Sequence, residues 1–240
     1  MKMWKQAFWL AKFEWKVSAV NIFLCWLILT MVSLLFLTSF SRYIRENYIV
    51  FDIFFILAFS IAPSWLRSKH FQYQKVSEQI WASPTLIMQS QLPIPKDSVV
   101  KSRLIIYLAY LLPFIITVFP ILYFFHSGIR EIMSLTAYFV FFILWLSIGL
   151  SFGMIMPASD VGDYVSPKII SFYMIVTGLI GFGVSLFFYN FLGYGIVAWT
   201  IKLAQTQCLP TIIVAIILIW ISWKFWPYYM KKRMQKLDYM

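Results

Sequence analysis

Residues 104–126, LIIYLAYLLPFIITVFPILYFFH, form an apolar run of the length a helix needs to cross a bilayer. About 20 residues rising 1.5 Å each span a hydrocarbon core roughly 30 Å thick. The stretch before it, residues 67–103, RSKHFQYQKVSEQIWASPTLIMQSQLPIPKDSVVKSR, is polar and basic. The same contrast recurs outward in both directions, with further apolar runs at 17–40, 49–66, 133–155, 169–191 and 209–226, so that six transmembrane helices are predicted. These runs are apolar on every face rather than alternating over ten-residue segments, which argues against a barrel and predicts an all-α, polytopic membrane protein. Composition agrees, at 62% hydrophobic and 12% charged, where soluble domains carry about a quarter charged residues.

The distribution of basic residues predicts the orientation. Of the 20 Lys and Arg, only Arg42, Arg45, Arg130 and Lys202 fall on the side opposite the amino terminus. Because short cytoplasmic segments carry the Lys/Arg excess, both termini and the 67–103 loop are predicted to be cytoplasmic. The net charge of +11 flanks spans instead of forming a soluble aromatic-interleaved patch, which suits anionic lipid headgroups and argues against nucleic acid. Trp4, Lys12, Glu14 and Lys16 precede a first span too long for a signal-peptide core, so that span is expected to remain as an anchor.

Residues 1–16, MKMWKQAFWLAKFEWK, place Trp4, Phe8 and Trp15 at helical spacing beside lysines, predicting an interfacial helix whose rings anchor it in the headgroup plane. The connections 41–47 and 126–131 are short and predict antiparallel neighbours. Residues 190–210 are too short to cross twice and read as a short extracellular helix or a re-entrant pair. Gly149 and Gly153, and Gly178, Gly181 and Gly183, mark close helix approach within a subunit or between subunits, and Pro113 and Pro120 are expected to bend the third span. No linker divides the chain, so residues 1–240 read as one membrane domain.

Little in the spans can perform chemistry. Asp52 and His126 sit at span ends and are expected to reach water; Cys25 and Cys208 fall at opposite depths and are not expected to pair. His70 and His126 lie on opposite sides, HExxH is absent, and no catalytic or metal-binding residue is assigned. Asp160 and Asp163 form the only close acidic pair, a polar turn or a partner contact. There is no GxxxxGK[ST] loop, so the chain is not expected to be an enzyme that hydrolyses ATP by that means.

Glu78, the turn Leu92-Pro93-Ile94-Pro95 and the basic Lys101 and Arg103 lie in a long first cytoplasmic loop, and with six spans and inward termini they resemble the permease subunits of type-2 ABC exporters, the ABC-2 family. The resemblance spans the whole chain in topology and about a dozen residues in motif. It implies a coupling helix over residues 71–81, seated on a separate ATPase subunit. Gln72, Lys75, Glu78 and Gln79 would supply its polar contacts, and Phe71, Val76, Ile80 and Trp81 its apolar ones. It further implies no directly bound cofactor, ATP being used by two copies of the ATPase, and a second copy of the permease or a related permease alongside. A second contact would come from residues 157–167, with Asp160 and Asp163. Small permeases of this kind are similar to those that export, or confer resistance to, antimicrobial peptides or drugs across a bacterial plasma membrane. A non-enzymatic immunity or sensor protein that binds another membrane component is the alternative.

Overall fold

The structure is a computed structural model that describes residues 2–46, 48–60, 67–76, 80–164 and 166–237. Helix α1 (Lys2–Val17) is followed by α2 (Ala19–Glu46) and α3 (Ile49–Ser60). A 3-10 turn at Lys69–Phe71 then leads into strands β1 (Gln74–Lys75) and β2 (Ile80–Ala82) and helix α4 (Pro84–Ser90). Beyond these come α5 (Lys96–Phe125), α6 (Ser127–Ile132), α7 (Leu135–Gly153), α8 (Ile155–Ser159) and strand β3 (Asp163–Tyr164). The chain continues through α9 (Pro167–Phe187), a π-helical turn at Phe188–Leu192, α10 (Ile196–Thr206) and α11 (Cys208–Lys236).

Among the described residues, five helical segments are long and apolar enough to cross a membrane: α2, α5, Leu135–Ser159, Pro167–Leu192 and α11. The chain is a multi-pass membrane protein with a predominantly helical fold. The second of the six expected spans is represented by α3 alone, 12 residues or about 18 Å of helix, and residues 61–66 lie outside the described residues. Helices α5 and α11 run further than the apolar runs that announced them, beginning at Lys96 and ending at Lys236. Hydropathy stops at the first charged residue, but Lys and Arg continue a helix readily because they are good helix formers.

The core is aromatic. Phe36 of α2 lies 4.8 Å, ring to ring, from Phe55 of α3; Phe55 lies 4.5 Å from Trp145 of α7, and Phe59 lies 5.1 Å from Phe119 of α5. In lipid such packing has to supply the association, since burying apolar surface against a neighbour gains little over burying it in acyl chains. Gly149 and Gly153 belong to this core. A Cβ on Gly149 would come within 2.9 Å of the Phe59 carbonyl, and one on Gly153 would collide with the Ser60 carbonyl and the Tyr107 hydroxyl. That hydroxyl donates to the Gly149 carbonyl at 2.6 Å. Gly178, Gly181 and Gly183, by contrast, have nothing within 4 Å of where a Cβ would stand, and in α9 only Ser185 is buried. Exposed Phe23, Trp26 and Met31 on α2 and Phe172, Met174 and Leu179 on α9 suit contact with acyl chains rather than water.

Both described ends of the chain meet the first turn of α5 at one end of the bundle, here termed the basic end. Ser98 Oγ donates to Gln6 Oε1 at 3.1 Å, Lys96 Nζ donates to the Met234 carbonyl at 2.9 Å, and Lys231 pairs with Asp97 at 2.9 Å. At the opposite end, Asp52 and His126 do not reach water as expected. Asp52 is 1% exposed. Its Oδ1 accepts from the Tyr43 hydroxyl at 2.7 Å and from the Val197 amide at 2.8 Å, while Tyr43 accepts from the Ala198 amide at 2.9 Å. It thus caps the amino terminus of α10, whose first amides have no partner within the helix. His126 Nδ1 accepts from the Ile129 amide at 3.1 Å, capping α6, and Nε2 meets Ser41 Oγ at 2.7 Å. Both side chains are caps that satisfy backbone amides where water is scarce.

Within 190–210 the chain leaves the π-helical turn at Leu192, forms α10 and enters α11 at Cys208. The chain reaches α10 through Gly193, whose φ of 71° favours a residue without a Cβ. The buried face of α10, Val197, Thr200, Ile201 and Ala204, packs on the bundle, and Trp145 Nε1 donates to Thr200 Oγ1 at 3.2 Å.

Candidate functional site at the basic end

The two segments read separately as partner contacts are joined in one structure. Strands β1, β2 and β3 form a three-stranded antiparallel sheet in that order, with Lys75 opposite Trp81 and Trp81 opposite Asp163. Gly162 makes the approach possible. Its φ is 94°, and a Cβ there would lie 2.6 Å from the Ala82 Cβ and 2.7 Å from the Trp81 carbonyl.

Beneath the sheet lies a buried cluster of charges. Arg67 Nε donates to Glu14 Oε1 at 2.8 Å, Nη1 to Asp160 Oδ2 at 2.7 Å and Nη2 to the Phe71 carbonyl at 2.9 Å. Arg103 Nη1 donates to Glu14 Oε2 at 3.0 Å and Nη2 to Gln89 Oε1 at 3.0 Å, and Arg103 lies 3.9 Å from Asp160. The four charged side chains are between 1% and 5% exposed, so water does not screen them. Two guanidiniums face two carboxylates, and the cluster is neutral as a unit. Burial alone would lower the pKa of Arg67, but the carboxylates of Asp160 and Glu14 outweigh it and hold the guanidinium charged, with its pKa above the ordinary value.

The cluster ties together α1 through Glu14, the start of the 67–95 segment through Arg67, α4 through Gln89, α5 through Arg103, and the turn before β3 through Asp160. A buried pair of this sort adds little net stability over an apolar replacement, but losing one member is costly, so it fixes one arrangement of the elements it joins.

The structure places the sequence-derived site residues unevenly. Where a helix is expected over 71–81, the described residues end a 3-10 turn and form the antiparallel strands β1 and β2, with the Val76 amide donating to the Ile80 carbonyl at 2.9 Å. The reason is long-range, because β2 is also held by β3. The local helix is instead α4, which starts on Pro84, a residue suited to a first turn. Phe71 is buried against Phe13, ring centroids 6.4 Å apart, and has no face open to a partner. Gln72 Nε2 donates to the Arg67 carbonyl at 2.6 Å. Trp81 is half-buried beside Tyr73, Lys75 is exposed, and Glu78 and Gln79 lie outside the described residues. Asp160, expected at a surface, is enclosed in the cluster, while Asp163 is half-buried and paired with Arg233 at 2.6 Å. Exposed apolar side chains among the described residues of this region include Val76, Met88 at 67%, Leu92 at 54% and Tyr164.

Helix α1 presents Trp4 and Phe8 outward and turns Ala7, Leu10, Ala11 and Glu14 inward. Trp15 is half-buried and meets Phe8 edge to face at 5.8 Å, and Lys101 Nζ lies 4.9 Å from the Trp4 ring. Glu14, Arg67 and Gln89 carry the site with no such role read from the sequence, and Arg103, read there only as a basic residue before the third span, joins them. One signal was present: Glu14 continues the stripe of Ala7, Leu10 and Ala11, an acid on the packing face of a helix. No protein-family model, no curated protein and no solved structure matches the chain.

Proposed function

We propose that the chain is the membrane-spanning permease subunit of an ATP-driven exporter of the ABC-2 type, lying in a bacterial plasma membrane with its basic end in the cytoplasm. The observation that carries this reading is the sheet formed from two separate connections and bolted to α1 and α5 by the Glu14, Arg67, Arg103 and Asp160 cluster. A soluble ATPase pressing on that surface would move helices, and the spans need supply no ion-coupling group of their own. Docking is assigned to the exposed Lys75, Val76, Met88 and Leu92 rather than to a helix at 71–81. Two copies of the permease and two ATPase subunits would complete the transporter, and a hydrophobic or antimicrobial peptide or drug is the proposed cargo. In this reading α10 lies on the extracellular side.

The test is affinity isolation of the full-length chain with the ATPase encoded beside it. Wild type is expected to retain the ATPase, and Met88→Asp with Leu92→Asp to release it. A full-strength complex in that variant would refute docking through this surface. If wild type retains no nucleotide-binding subunit, the permease reading fails in favour of a membrane immunity or sensor protein.

A further inference from the structure

We propose that the cleft between β3 and the last turns of α11 is a binding site for the headgroup of an acidic phospholipid. The cleft encloses about 560 Å³, and α11 lines it with Phe225, Tyr228, Tyr229, Lys232, Arg233 and Lys236. These positions recur every three to four residues, so they share one face of the helix. Arg233 is already committed: Nη2 donates to Asp163 Oδ2 at 2.6 Å and Nη1 to the Gly162 carbonyl at 3.2 Å, which balances its charge and fixes that wall of the cleft. Lys232 and Lys236, one turn apart, have no carboxylate within ion-pair distance among the described residues. Among its described lining residues the cleft therefore holds a surplus of two positive charges. The Lys232 ammonium lies 6.0 Å from the Tyr228 ring centroid, so an aromatic face borders the cation.

The order along the helix decides what the cleft takes. Exposed Trp220, Trp223 and Phe225 come first, with exposed Lys224 among them but outside the cleft lining, then Tyr228, then the two lysines. At 1.5 Å per residue the lysines begin about 6 Å beyond the tyrosine. This is the sequence of environments from acyl chain to glycerol to phosphate, with aromatic rings at the boundary and ammonium groups at the anion. An acidic soluble segment would match the lysines but would leave Phe225 and Tyr228 unused. The proposal needs only that α11 crosses a bilayer, and it stands apart from the ATPase reading.

The experiment is native mass spectrometry of the full-length chain in neutral detergent, titrated with dioleoyl phosphatidylglycerol, dioleoyl phosphatidylcholine and soluble glycerol phosphate. Retention of phosphatidylglycerol alone is expected. Lys232→Gln with Lys236→Gln is expected to weaken it about thirtyfold, the effect of two lysines near an anionic headgroup. The exposed pair Lys5→Gln with Lys168→Gln makes the same change in net charge and should weaken it less than threefold. Equal losses in the two double variants would reduce the effect to diffuse attraction and overturn the proposal. So would unchanged retention in the Lys232 and Lys236 variant, equal retention of phosphatidylcholine, or displacement of the lipid by glycerol phosphate at matching concentration. Loss of ATPase co-isolation in that variant with lipid retention intact would assign the cleft to a protein partner instead.

Discussion

Replacing Glu14 by Gln removes one negative charge from a site that water does not reach. Each oxygen of Glu14 accepts from one guanidinium, Arg67 at 2.8 Å and Arg103 at 3.0 Å. The variant leaves two guanidiniums facing Asp160 alone, at a cost of about 3–5 kcal/mol for an uncompensated buried charge. That is a large share of the roughly 5–15 kcal/mol by which domains are stable. Arg103→Gln creates the opposite imbalance and also takes from Gln89 the donor that Arg103 supplies, so a loss of similar size is expected. The double variant restores one guanidinium to one carboxylate, Arg67 to Asp160 at 2.7 Å. It should therefore lose about 2–3 kcal/mol less than the sum of the single losses. Denaturant unfolding of the full-length chain in mixed micelles, followed by tryptophan fluorescence, measures all three. Strictly additive losses, or single losses below about 0.5 kcal/mol, would refute the cluster as a coupled unit.

The glycines give a contrast within one protein. Gly153→Ala must push against the Ser60 carbonyl and Tyr107 and should destabilise by about 1–3 kcal/mol, whereas Gly181→Ala meets nothing and should stay within about 0.5 kcal/mol; thermal unfolding compares them. Asp52→Ala leaves the Val197 amide without its acceptor. At about 1–3 kcal/mol for an unpaired buried group, hydrogen exchange across residues 196–206 should quicken at least fivefold while α7 is unchanged. Unaltered exchange there would remove the cap from the account.

The spans were legible because about 20 apolar residues in a row have few other uses, and five of the six runs return as membrane-length helices. The loop was less so. The resemblance to ABC-2 permeases implies a helix over residues 71–81, yet β2 pairs with β3 some 80 residues later, a contact that no local pattern announces. Asp160 reads as a surface carboxylate because acids are mostly solvated, and its burial depends on Arg67 and Arg103 arriving from two other segments. Asp52 was misjudged for a related reason. Its position near a helix end suggested water, while the amides it caps belong to α10, far along the chain.

In the proposed exporter, the sheet and its charge cluster transmit motion from an ATPase to the spans. Spin labels at Lys69 and Gln205, both exposed and at opposite ends of the bundle, test this in a Cys25→Ser, Cys208→Ser background with the ATPase bound. The account predicts that the distance between the labels, measured by pulsed electron resonance, shifts when ATP hydrolysis is trapped by vanadate. A distribution identical with and without trapped nucleotide would contradict it.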